Sequence, residues 1–332
     1  MNPHLPCIDL HRHLDGNIRL QTMLDLARQH NLKLPGETLE TLSQHVQIHG
    51  PLPDLWSFLV RVDMMVSVLA DLDACKRIAR ENVEDAEREG LDYVELRFSP
   101  YFMARQHQLD PAKVVEAVVA GIEEGRKKAR VKVKLIGILS RTFGPEACTI
   151  ELNALLTQKA HITALDLAGD EKNWPAGLFV EHFKRGRDAG WSVTVHAGEA
   201  GGAPSVWAAI QQLGATRIGH GVRSSDDPKL MDYLRDHRIG LELNLTSNVQ
   251  TNTVPSLAAH PMKQFLAHGL LATLNTDDPV ISAIDLKFEF EQAAPKAGLT
   301  ADDIALAQRN ALEIAWLTPA ERAALLAGRS RY

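Results

Sequence analysis

Two histidines one residue apart, followed closely by an aspartate, lie near the start of the chain in Cys7-Ile8-Asp9-Leu10-His11-Arg12-His13-Leu14-Asp15-Gly16. The stretch opens apolar and turns polar, as a strand does where it leaves a core. Side chains alternate along an extended strand, so His11 and His13 share one face and Arg12 takes the other. Two imidazoles on one face at a strand end can share a metal ion. They are equally compatible with a plain strand that happens to carry two histidines. The choice turns on whether the rest of the chain brings further ligands.

A catalytic zinc takes nitrogen and oxygen ligands and keeps one position open for water. His196, in Val195-His196-Ala197-Gly198-Glu199, is the natural third ligand, and Asp277, in Asn275-Thr276-Asp277-Asp278-Pro279, the natural fourth. Other schemes fit less well. The chain has no His-Glu-x-x-His and no Cys-x-x-Cys, so neither the zincin nor the cytidine-deaminase type of site can form. Asp166-Leu167-Ala168-Gly169-Asp170 offers no lysine to bridge two metals, which favours a single ion. Glu199, three residues past His196, suits proton transfer to a substrate nitrogen or oxygen. His220 stands between Gly219 and Gly221, with room around its ring for a water. Asp278 adds a second carboxyl able to take a proton or a hydrogen bond. Each also has a plainer role available: a core histidine for His196, a helix-start charge for Glu199, a cap for Asp277 and Asp278. Their common position is what argues for chemistry.

That position is the end of a strand. Eight short apolar runs read as strands over 7–13, 92–98, 132–139, 163–167, 192–196, 217–220, 240–245 and 271–277. Amphipathic segments lie between them, as in 112–130, where Val114, Val115, Val118, Val119 and Ile122 recur at helical spacing. Segments 178–190, 206–214, 228–240 and 257–269 each end at a glycine just before a strand, the expected helix stop. Strands alternating with helices predict a parallel α/β sheet, and eight such units predict a closed (β/α)8 barrel of the TIM type, whose strand ends converge on one face. A doubly wound sheet is the alternative, but its first strand is usually followed by a Gly-rich phosphate turn, and here that turn is His-Arg-His-Leu-Asp-Gly.

Residues 21–90 are too many for one crossover helix and are punctuated by Pro35, Gly36, Gly50, Pro51 and Pro53. They predict helices over 54–70 and 72–90 within a helical insertion of about 31–90 that follows the first strand. The first of these is expected over the barrel mouth, where Trp56, Phe58, Leu59 and Val62 either wall a flat ligand or simply join the core. Extra C-terminal helices are expected over 281–297 and 300–327. No repeat or linker divides the chain, so a single domain over 1–332 is expected.

Composition narrows the class. With 332 residues, 45% apolar and 23% charged, and a net charge of -6, the chain has the balance of a soluble globular protein. It lacks the Lys/Arg-rich, aromatic-interleaved blocks of a nucleic-acid surface. Cys7, Cys75 and Cys148 are too few and too scattered for a disulfide framework and suit a reducing compartment. No secretory signal and no apolar run of membrane length appears. The expectation is a cytoplasmic protein acting on a small molecule, with neither nucleic acid nor membrane as partner.

Taken in order, His-x-His-Leu-Asp-Gly, Asp-Leu-Ala-Gly-Asp-Glu, His-Ala-Gly-Glu, Ile-Gly-His-Gly, Thr-Ser-Asn and Asn-Thr-Asp-Asp-Pro resemble the adenosine deaminases of the metal-dependent amidohydrolase superfamily, the bacterial type most closely. The resemblance runs from about Pro6 to the last helices. It implies hydrolytic deamination of adenosine and 2′-deoxyadenosine with one Zn2+ per subunit, held by His11, His13, His196 and Asp277. It implies that Glu199 gives a proton to N1 of the purine and that His220 and Asp278 orient the attacking water, with Asp278 also binding the base. Gly169 then offers a backbone donor to the purine, His13 and Asp15 surround the ribose hydroxyl, and Phe58, Leu59 and Val62 form an apolar lid. Asn244 stands where many relatives carry Cys. A sister activity on adenine, or on an N6-substituted or phosphorylated adenosine, is the alternative. Asp15 favours the nucleoside, since adenine-specific relatives tend to carry Glu there.

Overall fold

Strands form where the apolar runs reach the polar motifs. A computed structural model describes residues 1–329 and contains β1 (Ile8–His13), β2 (Tyr93–Phe98), β3 (Lys132–Ser140), β4 (Ile162–Ala168), β5 (Ser192–Ala197), β6 (Arg217–His220), β7 (Gly240–Leu243) and β8 (Leu271–Leu274). Each pairs in parallel with the next in sequence. The return from β8 to β1 is made by the residues beyond β8. Arg12 bridges Asp277, His13 N donates to Asp277 O at 2.8 Å, and Asp277 N donates to His11 O at 2.8 Å. The result is the (β/α)8 barrel that strand–helix alternation predicts. Closure runs through a residue expected at the site, so the backbone of Asp277 holds the barrel while its side chain stays available.

The differences from expectation fall at element ends and inside the two C-terminal helical segments, the one expected over 281–297 being broken after Ser282, where Ala283 has φ 54°. The seventh strand stops at Leu243, not at 245, because Asn244 starts the helix Leu245–Gln250. The eighth stops at Leu274, and Asp277 beyond it has φ 62°, a left-handed backbone that an ordinary strand residue avoids. The helix expected to run to Gly240 is Pro228–Asp236; Arg238 makes the left-handed turn with φ 54°, and Gly240 lies inside β7. A Cβ on Gly240 would lie 2.5 Å from Ile314 Cδ1, so close packing, not a helix stop, accounts for this glycine. The helix expected over 300–327 is interrupted between Ala301–Ile314 and Pro319–Arg329. In the gap, Trp316 N donates to Glu95 Oε1 at 3.1 Å, and Thr318 Oγ1 receives Glu321 N at 3.2 Å to start the next helix.

The long first crossover holds four helices: α1 (Leu20–Gln29), α2 (Leu39–Val46), α3 (Leu55–Val66) and α4 (Leu72–Arg88). Asp54 caps α3 by accepting from Ser57 N, and Asp71 caps α4 by accepting from Ala74 N. After β2 come α5 (Pro100–Arg105) and α6 (Pro111–Arg126), each with proline in its first turn, where a missing N–H does no harm. α4 packs along α6 as an ordinary barrel helix, whereas α3 lies over the strand ends. Alternation on β1 has a visible outcome. Ile8 and Leu10 join Ala311 and Leu312 of the helix Ala301–Ile314, while Arg12 clamps Glu89 beyond α4 through two hydrogen bonds of 2.7 Å. Among the described residues no helix is long and apolar enough to cross a membrane.

Candidate active site

His11, His13, His196 and Asp277 meet at the C-terminal end of the barrel. His11 Nε2 lies 3.1 Å from His196 Nε2 and 3.2 Å from Asp277 Oδ1. His13 Nε2 lies 3.3 Å from His196 Nε2 and 3.4 Å from Asp277 Oδ1. A tetrahedral ion with ligands at about 2.0–2.1 Å sets its donors about 3.3–3.4 Å apart. The donor set therefore fits one metal ion in both spacing and chemistry. His220 is gathered into the same place, with its Nε2 3.9 Å from Asp277 Oδ2, and Asp278 lies against His13. The cluster can hold a metal, as the spacing of strand ends predicts.

Behind the rings stands a buried charge network that the sequence reading left without a role. His11 Nδ1 meets Glu242 Oε2 at 2.9 Å, and His196 Nδ1 meets Asp166 Oδ2 at 3.0 Å. Each carboxylate fixes its ring with Nδ1 protonated and leaves Nε2 free to ligate. Arg97 bridges the two, giving 2.8 Å bonds to Asp166 Oδ2 and to Glu242 Oε2. Arg217 Nε reaches Glu242 Oε1 at 2.7 Å and stacks 3.5 Å above the Trp316 ring. All of these groups are buried except Trp316, which is half-buried. Burial alone would drive Glu242 and Asp166 toward the neutral form, but the adjacent arginines and histidines hold both well below the usual carboxylate range. The signal in sequence was a lone charge inside an apolar strand run: Arg97 in Leu-Arg-Phe, Asp166 in Leu-Asp-Leu, Glu242 in Leu-Glu-Leu.

Proton-active groups occupy the other side of the cluster. Glu199 leaves β5 on a loop held by Glu171, whose carboxylate accepts from the backbone N–H groups of Gly198 at 2.6 Å, Ala200 at 2.8 Å and Gly201 at 2.7 Å. Burial, reinforced by Asp277 and Glu171, pushes Glu199 well above the ordinary carboxylate range and so favours its protonated form. His220 Nε2 lies 3.6 Å from Glu199 Oε2, and burial keeps its ring neutral. Asp278 is likewise raised, chiefly by burial, while the histidines around Asp277 outweigh its burial and keep it ionised. Two glycines make the approach possible. A Cβ on Gly16 would fall 1.4 Å from Asp278 Oδ1, and one on Gly219 would fall 2.9 Å from His11 Cε1. His220 itself has φ 61°, a strained conformation that the flanking packing must sustain.

A cavity of about 380 Å³ opens over these groups, within the usual range of small-ligand sites. His13, Asp15, Gly169, His196, Glu199, His220, Asp277 and Asp278 line its floor. Leu55, Phe58, Leu59 and Val62 of α3 form one wall, with Phe102 and Phe143 facing them. Phe58 and Val62 are buried, whereas Trp56 is 61% exposed and contributes little to the wall beyond its edge. Asp15 uses Oδ2 to accept from Ser99 N at 2.9 Å, and its buried Oδ1 has no hydrogen-bond partner; Asp278 Oδ1 is left in the same state. Two unsatisfied carboxyl oxygens beside one cavity call for a polar ligand. Arg12, Arg97 and Arg141 do not line it. Arg141 is turned inward to the carbonyls of Leu167 and His196 at 3.1 and 2.7 Å. Asn244, noted for its unusual identity, brings its Nδ2 to 3.2 Å from His220 Nδ1.

Comparisons agree with this geometry. The family model for adenosine deaminase matches residues 6–329. An adenosine deaminase of Klebsiella pneumoniae is 60% identical over 322 residues, covering 97% of both chains. One of Salmonella typhimurium is 59% identical over 321 residues, covering 97% of this chain and 96% of its own. Among solved structures, an adenine deaminase from Arthrobacter aurescens superposes with TM-score 0.91 at 26% identity over 98% of both chains. A zinc-bound amidohydrolase of Burkholderia ambifaria shares the fold, with TM-score 0.89 at 23% identity over 99% of this chain and 90% of its own. By sequence over nearly its whole length, and by the barrel and cluster built from that sequence, this chain belongs to the adenosine deaminase family.

Proposed function

We propose that this protein is a zinc-dependent hydrolase that converts adenosine and 2′-deoxyadenosine to inosine and 2′-deoxyinosine with release of ammonia. The observation that carries the reading is a buried Glu199, pushed toward its protonated form, on the floor of a cavity beside the clustered donor atoms of His11, His13, His196 and Asp277. The close relatives named adenosine deaminase support it over nearly the whole chain. His11, His13, His196 and Asp277 would hold one ion. A zinc ion bound there supplies hydroxide at neutral pH by lowering the pKa of water.

The chain's own residues do the rest. The α3 wall and the two phenylalanines sandwich a flat base and exclude water. Gly169 offers its backbone N–H to the ring edge, and Asp15 with His13 takes the ribose hydroxyl through the unpartnered Oδ1. Attack at C6 moves electron density onto N1. Glu199 meets that charge as it develops by delivering its proton there. His220 and Asp278 hold the attacking oxygen on line with C6. A nucleotide is less well served: Arg105 at the cavity mouth is already paired with Asp63. The scattered thiols suit a reducing, cytoplasmic setting.

The direct test is ammonia release from adenosine by the purified zinc-loaded protein. Turnover should be abolished by chelation and restored by zinc. Ammonia release that persists unchanged in the stripped protein would refute the reading.

A further inference from the structure

His220 presents its two ring nitrogens to different surroundings. Nε2 faces the cluster, 3.6 Å from Glu199 Oε2 and 3.9 Å from Asp277 Oδ2. Nδ1 faces away and meets two side-chain amides, Asn248 Nδ2 at 2.9 Å and Asn244 Nδ2 at 3.2 Å. Amide ends and imidazole protons can be exchanged without moving a heavy atom, so the network's direction must come from a group with a single role.

A backbone amide is such a group. Met262 N–H donates to His260 Nδ1 at 3.1 Å. That nitrogen must therefore carry a lone pair. His260 is buried, and burial brings its pKa down to about 3, so the ring is neutral and has its one proton on Nε2. That proton points at Asn248 Oδ1, 3.1 Å away. Reversing the amide would set N–H against N–H. The Asn248 NH2 is thus turned to His220 and donates to Nδ1. Asn244 reaches the same answer independently. Its Nδ2 lies 3.4 Å from the Glu242 carbonyl oxygen, which only a donor can satisfy, and it too meets His220 Nδ1.

We propose that Met262 N–H, His260 and Asn248 form a one-way hydrogen-bond relay that holds His220 as its Nε2–H tautomer, making His260 and Asn248 positioning residues for the reaction. The contrast with the other rings sharpens this. The Nδ1 atoms of His11 and His196 meet carboxylates, Glu242 at 2.9 Å and Asp166 at 3.0 Å. A carboxylate partner puts the proton on Nδ1 and frees Nε2 for a metal. An amide donor does the reverse. His220 sits within reach of the same ion site, yet its Nε2 bears hydrogen. It can hold an oxygen in place but can neither ligate metal nor accept that oxygen's proton at this atom. The relay thus sets His220 apart from His11 and His196, whose Nδ1 atoms meet carboxylates. This role for His220 rests on the deaminase reading; the tautomer itself does not.

The test reads the tautomer without substrate. In zinc-loaded protein labelled with 15N-histidine, two-bond proton–nitrogen correlations report which ring nitrogen is protonated, and His220 is assigned by the signals lost in His220→Gln. We expect unprotonated Nδ1 and protonated Nε2 for both His220 and His260. A protonated Nδ1 on His220 in the unaltered protein would overturn the proposal, whatever the variants do. Asn248→Asp combined with Asn244→Ala removes both amide donors and leaves an acceptor beside Nδ1, so in this double variant His220 should move its proton to Nδ1 while His260 stays as it was. Its kcat should fall by about 10²-fold, on the scale of losing one positioned proton-transfer group, with KM and zinc content nearly unchanged. A switched tautomer with near-normal kcat, or an unswitched tautomer, would refute the positioning role. Failure to deaminate adenosine in the unaltered protein would count against the proposed function and leave the tautomer measurement standing.

Discussion

Replacing Glu242 by glutamine preserves shape and removes one acceptor. All four groups around the carboxylate are donors: His11 Nδ1, Arg97 Nη2, Thr194 Oγ1 and Arg217 Nε. An amide has one oxygen, so its NH2 must face either His11 with Arg97 or Thr194 with Arg217. Either way a buried guanidinium loses a partner in a region closed to water. Breaking a buried ion pair on one side costs about 3–5 kcal/mol. With an unfolding entropy of about 2.1 cal/mol/K per residue, the 332 residues translate each kcal/mol into about 1.4 °C. The metal-free melting temperature should therefore fall by about 4–7 °C. His11 also loses the group that fixes its tautomer, and zinc affinity should drop about 10–100-fold. Scanning calorimetry of the stripped protein and competition with a chromophoric chelator measure the two effects separately. A melting temperature within about 1 °C of the parent, together with unchanged affinity, would refute the argument that this carboxylate both balances the arginines and orients the ligand.

Three further outcomes follow from named contacts. Glu199→Gln should retain its zinc and lose turnover by about 10²-fold or more, since the proton for N1 is gone; elemental analysis beside initial rates on adenosine decides this, and near-normal rates remove Glu199 from its role. Gly16→Ala places a methyl where Asp278 Oδ1 now stands, 1.4 Å from the new Cβ. A displacement of about 1 Å in a catalytic group costs about 10²-fold, so kcat should fall with metal content intact. Glu151 is buried against Ser99 and Ser140, and burial pushes it up to about 8 from an ordinary 4.5. Between those values the unfolded chain gives up this proton and the native chain keeps it, so this site's stability is present below pH 4.5 and is lost as pH rises through about 8. Glu151→Gln, a neutral mimic, should gain stability relative to the parent at pH 8 and show little gain at pH 4.5. Denaturant titrations at both pH values test it, and equal effects at the two would contradict the assignment.

The barrel was legible because its signals are local. Each of the eight strands carries a short apolar run that turns polar at one end, and periodicity marks the helices between. The proposed ligand set is legible for the same reason: His11, His13, His196 and Asp277 all sit where a run ends. What escaped were groups defined by contacts far apart in sequence. Glu242 reads as one charge in Leu-Glu-Leu until Arg97, Arg217 and His11 surround it from three other strands. Gly240 looks like a helix stop until Ile314, 74 positions onward in the numbering, is seen to require the space. His260 carried no motif at all; its meaning comes from one backbone N–H two residues on and an asparagine on the helix Leu245–Gln250. Arg12 shows the converse. Alternation correctly sent it away from the metal cluster, but only the folded chain supplies Glu89 as its partner.

This cavity is built to deaminate the nucleoside. A substrate panel followed by ultraviolet absorbance tests it most directly: adenosine, 2′-deoxyadenosine, adenine, AMP and N6-methyladenosine, each with the zinc-loaded protein. Adenosine and 2′-deoxyadenosine should be turned over with comparable kcat/KM, far above adenine and AMP. Turnover of adenine without turnover of adenosine would contradict the account.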